Sequence, residues 1–559
     1  MRKHGGQLVV DSLLAEGVSK LFTVPGESFL PVLDALYDVP ERIELISTRH
    51  EEGAGFAAEG YAKASGEPGV CIVTRGPGAT NLSIALHTAQ QDSTPLVALV
   101  GQVPTGFRHR RAFQEVDFVS FFSPLVKWAI EIPQTARIPE LLQQAFRVAT
   151  SERPGPVVVS LPEDILTETT PANALASVRL RSPRPDARSV GDALRLLLTA
   201  KAPVLIAGRE VLTSGATPLL TEFAEALAIP VMTAFRRFDA FPNDHGNYVG
   251  NLGLAAPEEA LAPLADADLV LGLGAQFTQM TTSQYRYPKP NTQLIHVTAS
   301  QESSGSWGSP SLAIVADTRS FLQDCLAELK NSQTVPRSQS RRQARVKEYR
   351  AFYRKLTTFE SRPASGPGRM SISALLASVK EIAPEDSAIV SDAGNFSGWI
   401  SRYYPFTSPL THFGPISGAM GYALPAAIGV SCAEPLRAVF AFAGDGGFAM
   451  TMNELSTVRK HDMKIVTIVF VNDLHGTIRV HQEKRYPGRR IGTDLCNPSF
   501  TGIANAYGIP STRVAENADF HSAFGEALSR NGPSLIEVHL GDERLSAWPT
   551  RPVPVESLE

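Results

Sequence analysis

Cysteine is scarce in this 559-residue chain: Cys71, Cys325, Cys432 and Cys496 lie far apart and form no Cys-x-x-Cys pair. Such spacing argues against a zinc site and suits a reducing compartment. No apolar run approaches the ~20 residues that a membrane-spanning helix needs. Asp11 breaks the apolar stretch in MRKHGGQLVVDSLLAEG after a few residues, so no secretory leader is expected. Neither sign of charge dominates; the formal net charge of −4 gives no attraction toward nucleic acid or an anionic membrane. A soluble cytoplasmic protein is the expectation.

Hydrophobic residues make up 43% of the chain and charged residues 19%, a globular balance. At roughly 150 residues per domain, the length predicts about three or four domains. Short β-branched runs such as GVCIVT, PLVALVG, APVLIAG, DLVLGLG, RAVFAFAG and KIVTIVFVN alternate with amphipathic helical patterns. Continuous apolar strands separated by helices predict parallel sheets covered on both faces, an α/β protein throughout. Residues 168–190 and 331–369 read as surface linkers, the second combining a basic helical piece with a Pro/Gly/Ser tail. They divide the chain into 1–167, 190–330 and 370–545.

The outer pieces share a plan of strand, glycine turn, helix and strand. In the first, GVCIVT runs into Arg75-Gly76-Pro77-Gly78; in the third, RAVFAFA runs into Gly444-Asp445-Gly446-Gly447. Glycines at a strand end let backbone N–H groups approach a phosphate, and Asp445 stands where a bridging cation would need an oxygen ligand. Alone, this Gly-Asp-Gly is a weak signal and reads first as an ordinary Asp-Gly turn. Asn472, 27 residues on, ends the next strand and brings a second oxygen to the same sheet edge, although a helix-capping role would also suit it. In STRHEEGAG, Glu51 and Glu52 both favour the positive start of a helix, and neither stands out on local grounds.

With these motifs the chain resembles, over nearly its whole length, the thiamine-diphosphate enzymes of the acetolactate synthase, pyruvate oxidase and benzoylformate decarboxylase group. The resemblance implies a pyrimidine-binding first domain, a central domain and a diphosphate-binding third domain, with thiamine diphosphate and Mg²⁺ held between subunits. The metal ligands it implies are Asp445, Asn472 and the main-chain carbonyl of Leu474; Val471 replaces the first residue of the family's Asn-Asn pair. In RHEEGAGFAAEGYAKASG, the residue nine positions before Gly60 takes the family's catalytic Glu position, which selects Glu51 as the partner of the aminopyrimidine N1′. Gly26, Gly418, Met420, Gly446, Gly447, Gly476, Thr477 and Ile478 are carried over as further cofactor contacts, Met420 as the wedge that bends the cofactor. By itself, Met420 would read as core. Asn395 and Phe396 fall where relatives have Gln and His near the diphosphate, and Phe396 cannot donate a hydrogen bond there.

Phe113 and Gln114 match an active-site pair of acetolactate synthase. Arg75 stands where close relatives have a small hydroxyl residue and reads as an ion-paired arginine. Arg108, His109, Arg110 and Arg111 either steer an anionic 2-oxo acid or form a solvated face. The family's arginines for flavin and for the substrate carboxylate are replaced by Gln276 and Met280 in GAQFTQM, so FAD is not expected. His481 occupies the place of a specificity-setting Trp; a proton-transfer role and a surface position remain alternatives.

The resemblance therefore implies a decarboxylating carboligase. A C2 carbanion attacks a 2-oxo acid, CO₂ leaves, and the enamine is captured by a second 2-oxo acid or an aldehyde. The alternatives are a non-ligating 2-oxo acid decarboxylase or aldehyde lyase of the benzoylformate decarboxylase kind, and a catalytically silent cofactor-binding subunit. A homodimer is the minimum assembly implied, and a homotetramer the expected one.

Overall fold

The computed structural model describes residues 2–178, 180–253, 256–301, 309–358, 370–540 and 546–547. Three six-stranded parallel sheets succeed one another along the chain. The strands Gly69–Val73, Leu96–Gln102 and Pro156–Pro162 are buried at every residue, as continuous β-branched and apolar runs require when helices cover both faces. The covering helices show the complementary periodicity. In Ile138–Thr150, the residues Ile138, Leu141, Leu142, Ala145, Phe146 and Ala149 form one buried stripe.

Numbered in chain order within each sheet, the strands of the first sheet lie side by side as 2-1-3-4-6-5, and those of the third sheet follow the same order. The glycine turn after Gly69–Val73 and the one ending Val439–Gly444 thus occupy the same topological place, beyond the third strand. The shared plan read from the sequence is a shared topology. The central sheet is ordered 3-2-1-4-5-6, the doubly wound arrangement of dinucleotide-binding domains.

The outer domains meet through two helices, Glu51–Ser65 and Ala423–Ala433. A Cβ added at Gly60 would overlap the carbonyl of Ala426, and one added at Gly429 would overlap that of Ala57. Backbone therefore lies on backbone, a separation only glycine permits.

The linkers differ from expectation in one respect. Residues 171–178 and 180–186 form neither helix nor strand. The basic piece of the second linker, by contrast, is the helix Gln339–Thr357, docked onto the central domain. Arg342, 1% exposed, donates to the carbonyls of Leu197, Ala200 and Leu227. Its guanidinium satisfies helix-end carbonyls that no sequence pattern links to residue 342. Residues 359–369, which hold the Pro/Gly/Ser tail, and the end of the third piece at 541–545 lie outside the described residues. Among the described residues, no helix is long and apolar enough to cross a membrane.

Candidate active site

The strands Val439–Gly444 and Ile465–Val471 are hydrogen-bonded neighbours, with Gly444 paired to Phe470. Asp445 and Asn472 therefore leave the sheet side by side. Asp445 is 3% exposed. Its Oδ1 accepts the Gly446 N–H at 2.9 Å. Its Oδ2 accepts N–H bonds from Asn472 at 3.1 Å, Asp473 at 2.7 Å and the Asn497 amide at 2.9 Å. Burial raises its pKa against the pull of those backbone donors. The Asn472 side-chain oxygen lies 3.2 Å from the Leu474 N–H, and the Leu474 carbonyl accepts the Gly476 N–H. Among the described residues there is no group of three His, Cys, Asp or Glu side chains able to hold a metal. One carboxylate with amide and carbonyl oxygens is instead a hard-oxygen set, suited to a small cation that keeps waters and phosphate oxygens.

These residues open onto a cleft of about 290 Å³. Gly418, Met420, Asn395, Gly446, Gly447, Gly476, Thr477 and Ile478 line it together with Asp445, Asn472 and Leu474. The Thr477 hydroxyl donates to the Asn395 side-chain oxygen at 3.0 Å, while the Asn395 amide nitrogen is buried with no acceptor among the described residues. A buried donor without a partner fits a phosphate oxygen in the cleft. Phe396 also lines the cleft, as an apolar wall, and packs on Phe470 with ring centroids 5.4 Å apart.

The site residues expected from the first domain do not line this cleft. Glu51 opens the helix Glu51–Ser65, is 9% exposed, and accepts the Asn81 amide at 3.0 Å. Its Oε1 would lie 3.0 Å from a Cβ at Gly78. Gly26 packs on Thr74, and Gln114 on Gly76, so all of them gather at the glycine-turn end of the first sheet. Phe113 is 75% exposed. Arg75 is ion-paired with Glu27 and Glu163, and Arg108 with Glu115 and Glu131. His481 is exposed on the helix Gly476–Arg485 and does not reach the cleft.

Three family models cover the chain: the N-terminal TPP binding domain of thiamine pyrophosphate enzymes over residues 3–121, their central domain over 190–325, and their C-terminal TPP binding domain over 392–538. The chain belongs to the thiamine pyrophosphate enzyme family. It is 32% identical over 550 residues to a probable acetolactate synthase large subunit of Methanocaldococcus jannaschii, covering 96% of this chain and 91% of that one. It is 34% identical over 541 residues to the acetolactate synthase isozyme 3 large subunit of Escherichia coli, covering 94% and 92%. With an acetolactate synthase of Mycobacterium bovis it shares 33% over 559 residues, covering 98% and 89%. The protein is an acetolactate-synthase-like, thiamine-diphosphate-dependent enzyme.

Several residues that build this thiamine pyrophosphate enzyme's site carry no local sequence signal. Glu454 of the third domain accepts the N–H groups of Arg49 and His50 at 3.0 and 3.1 Å, fixing the helix start that bears Glu51. Lys63, at the other end of that helix, ion-pairs with Glu59 and Asp92 and donates to the carbonyl of Gly414. The bonds from Glu454 to residues 49 and 50 and from Lys63 to Gly414 each join segments hundreds of residues apart, so no motif spacing exposes them.

Glu52 turns from Glu51 toward the third domain. Burial, then the charges of Asp392 and Glu454, push its pKa up to about 7. Between the unfolded value of 4.5 and about 7, the native chain binds more protons than the unfolded chain, so this contribution to stability is lost as pH rises through about 7. Glu52→Gln is expected to unfold at a higher temperature than the parent at pH about 8 and to show a flatter pH profile above about 5. Thermal scans across that range check it; parallel profiles for the two proteins would refute the assignment.

Proposed function

We propose that this enzyme is a decarboxylating carboligase: it takes a 2-oxo acid, releases CO₂ and joins the remaining acyl unit to a second carbonyl compound. The observation that carries the reading is the convergence of Asp445, Asn472 and the unpartnered Asn395 amide on one cleft beside Met420. In this reading Asp445, Asn472 and the Leu474 carbonyl hold Mg²⁺, and Gly446, Gly447, Gly476 and Thr477 cradle the diphosphate. Thiamine diphosphate, when bound, supplies the electron sink for cleaving the bond between the carbonyl and carboxylate carbons. The chain's own work is positional. Met420 and Ile478 shape the apolar wall, Gly418 offers its carbonyl to the aminopyrimidine, and Glu51 holds the proton on its ring nitrogen.

Glu51 lies outside the cleft of its own chain, and this supports an active site shared with the cleft of a second copy. We therefore propose a homodimer as the functional minimum and a homotetramer as the assembly. Gln114 then faces substrate from the Gly76 turn. Four unpaired cysteines support a cytoplasmic setting.

One observation favours a second reading, a non-ligating decarboxylase or aldehyde lyase. Gln276, in an arginine's place, donates to Ser93 at 2.6 Å, and Met280 borders an adjoining cavity beside Phe235 that shares Asn395 with the cleft. Neither supplies a cation for a second acid's carboxylate or for a flavin, and we propose no FAD. The protein loaded with thiamine diphosphate and Mg²⁺ should be offered a panel of 2-oxo acids, with and without aldehydes, and the products identified by mass spectrometry. A hydroxyketone is expected. Aldehyde alone from every acid would select the second reading, and no CO₂ from any acid would sink both.

A further inference from the structure

Asp392 follows the strand Ala388–Ser391 and is 1% exposed, yet it does not line the cleft. Its Oδ1 accepts the Ala393 N–H at 2.7 Å and the Tyr422 N–H at 3.4 Å, and its Oδ2 accepts the Gly421 N–H at 3.0 Å. A Cβ at Gly447 would sit 2.6 Å from the same Oδ2. One carboxylate thus meets three turns. The first carries Asn395, the second Gly418 and Met420, and the third Asp445 to Gly447.

The strand end that bears Asp392 is gripped from the central domain. Arg236, 4% exposed, donates from Nη2 to the Asp392 carbonyl at 3.2 Å and from Nη1 to the Ser391 carbonyl and hydroxyl at 3.4 Å. Its φ of 56° is unusual for a side chain of this size. The next residue points elsewhere: Arg237 donates to Asp92 of the first domain at 3.0 Å. Consecutive arginines in AFRRFDAF thus hold the two outer domains. Arg236 directs its hydrogen bonds to the carbonyls of Ser391 and Asp392 and the Ser391 hydroxyl, which leaves the carboxylate to hold backbone N–H groups.

We infer that Asp392 and Arg236 form a positioning pair for the cofactor, the carboxylate setting the spacing of the three cleft turns and the guanidinium fixing the strand end that carries it. This rests on the reading of the cleft as the thiamine diphosphate site. A pair that only stabilised the fold would affect unfolding; a positioning pair affects how tightly the cleft closes on its ligand.

The test uses the full chain as wild type, Asp392→Asn, Arg236→Met and Arg236→Lys. Thiamine diphosphate is titrated at saturating Mg²⁺, with quenching of tryptophan fluorescence as the readout, since Trp399 lines the cleft. Asp392→Asn is expected to weaken binding by about 10–100-fold, the effect of losing charge-assisted bonds. Arg236→Met should weaken it by about tenfold, and Arg236→Lys, which keeps a donor for the carbonyls, should recover most of that. KM for the 2-oxo acid at saturating cofactor should stay at the wild-type value. If both Asp392→Asn and Arg236→Met bind within about twofold of wild type, whatever their melting temperatures, the inference is overturned. Should Asp392→Asn fail to fold, Arg236→Met decides alone, because it leaves the carboxylate and its N–H partners in place. A wild-type protein that shows no saturable quenching overturns the reading of the cleft itself, and this inference with it.

Discussion

Glu51→Gln is expected to lower kcat by about 10²–10⁴-fold, the range for loss of a positioned proton partner, while Glu52→Gln keeps most of the activity. The two residues are adjacent, but the helix separates them. Glu51 faces Gly78 and the Asn81 amide, whereas Glu52 faces the intrachain contact with Asp392 and Glu454. An amide at residue 51 preserves shape but cannot share a proton with a ring nitrogen. Steady-state rates, together with deuterium exchange at the cofactor's C2 carbon, separate a chemical defect from a binding one. A Glu51→Gln enzyme retaining more than about a tenth of parental kcat would remove Glu51 from the mechanism.

Removing the Asp445 carboxylate should have the other large effect. Asp445→Ala is expected to weaken Mg²⁺ by at least about a hundredfold, since even outer partners of metal ligands change affinity by roughly 10–100-fold. Thiamine diphosphate binding should fall with it, because the diphosphate's charge loses its counter-ion. The same carboxylate collects the N–H groups of Gly446, Asn472 and Asp473 and the Asn497 amide, so its loss also frees the turn between residues 472 and 497. Asp445→Asn keeps part of that network and should bind metal nearly as poorly. Titration calorimetry with Mg²⁺ in the presence of cofactor gives both constants; parental affinity in either variant would displace the metal site from Asp445.

What the sequence made legible was local and periodic. Fully apolar strands announced parallel sheets, and the 27-residue interval leaves Asp445 beside Asn472 because a crossover of two short helices, Asp445–Thr451 and Leu455–Lys460, returns the chain to the neighbouring strand. Met420, Asn395 and Thr477 were expected from motif positions, and all three line one cleft. What stayed hidden joins distant segments. Glu454 on the Arg49 and His50 backbone, Arg236 on Ser391 and Asp392, and Arg342 on helix-end carbonyls act through side chain-to-backbone bonds. Backbone acceptors and donors look alike at every position in a sequence. Buried polar residues of this kind also interrupt hydrophobic patterns, and Arg342 for that reason read as part of a solvated linker. The division of labour proposed for Glu51 and Glu52 rests on resemblance alone, since helix-start chemistry treats both alike.

The touching backbones of Glu51–Ser65 and Ala423–Ala433 have a consequence for measurement inside the molecule. Where two helices meet through side chains, their separation drifts with each substitution and each rotamer. Where they meet at Gly60 and Gly429, main chain is the gauge block. The distance from the turn bearing Glu51 to the turn bearing Met420 is then set by peptide geometry, whose dimensions do not vary with sequence. Side chains elsewhere in the two domains can then be exchanged without altering the spacing between these two turns.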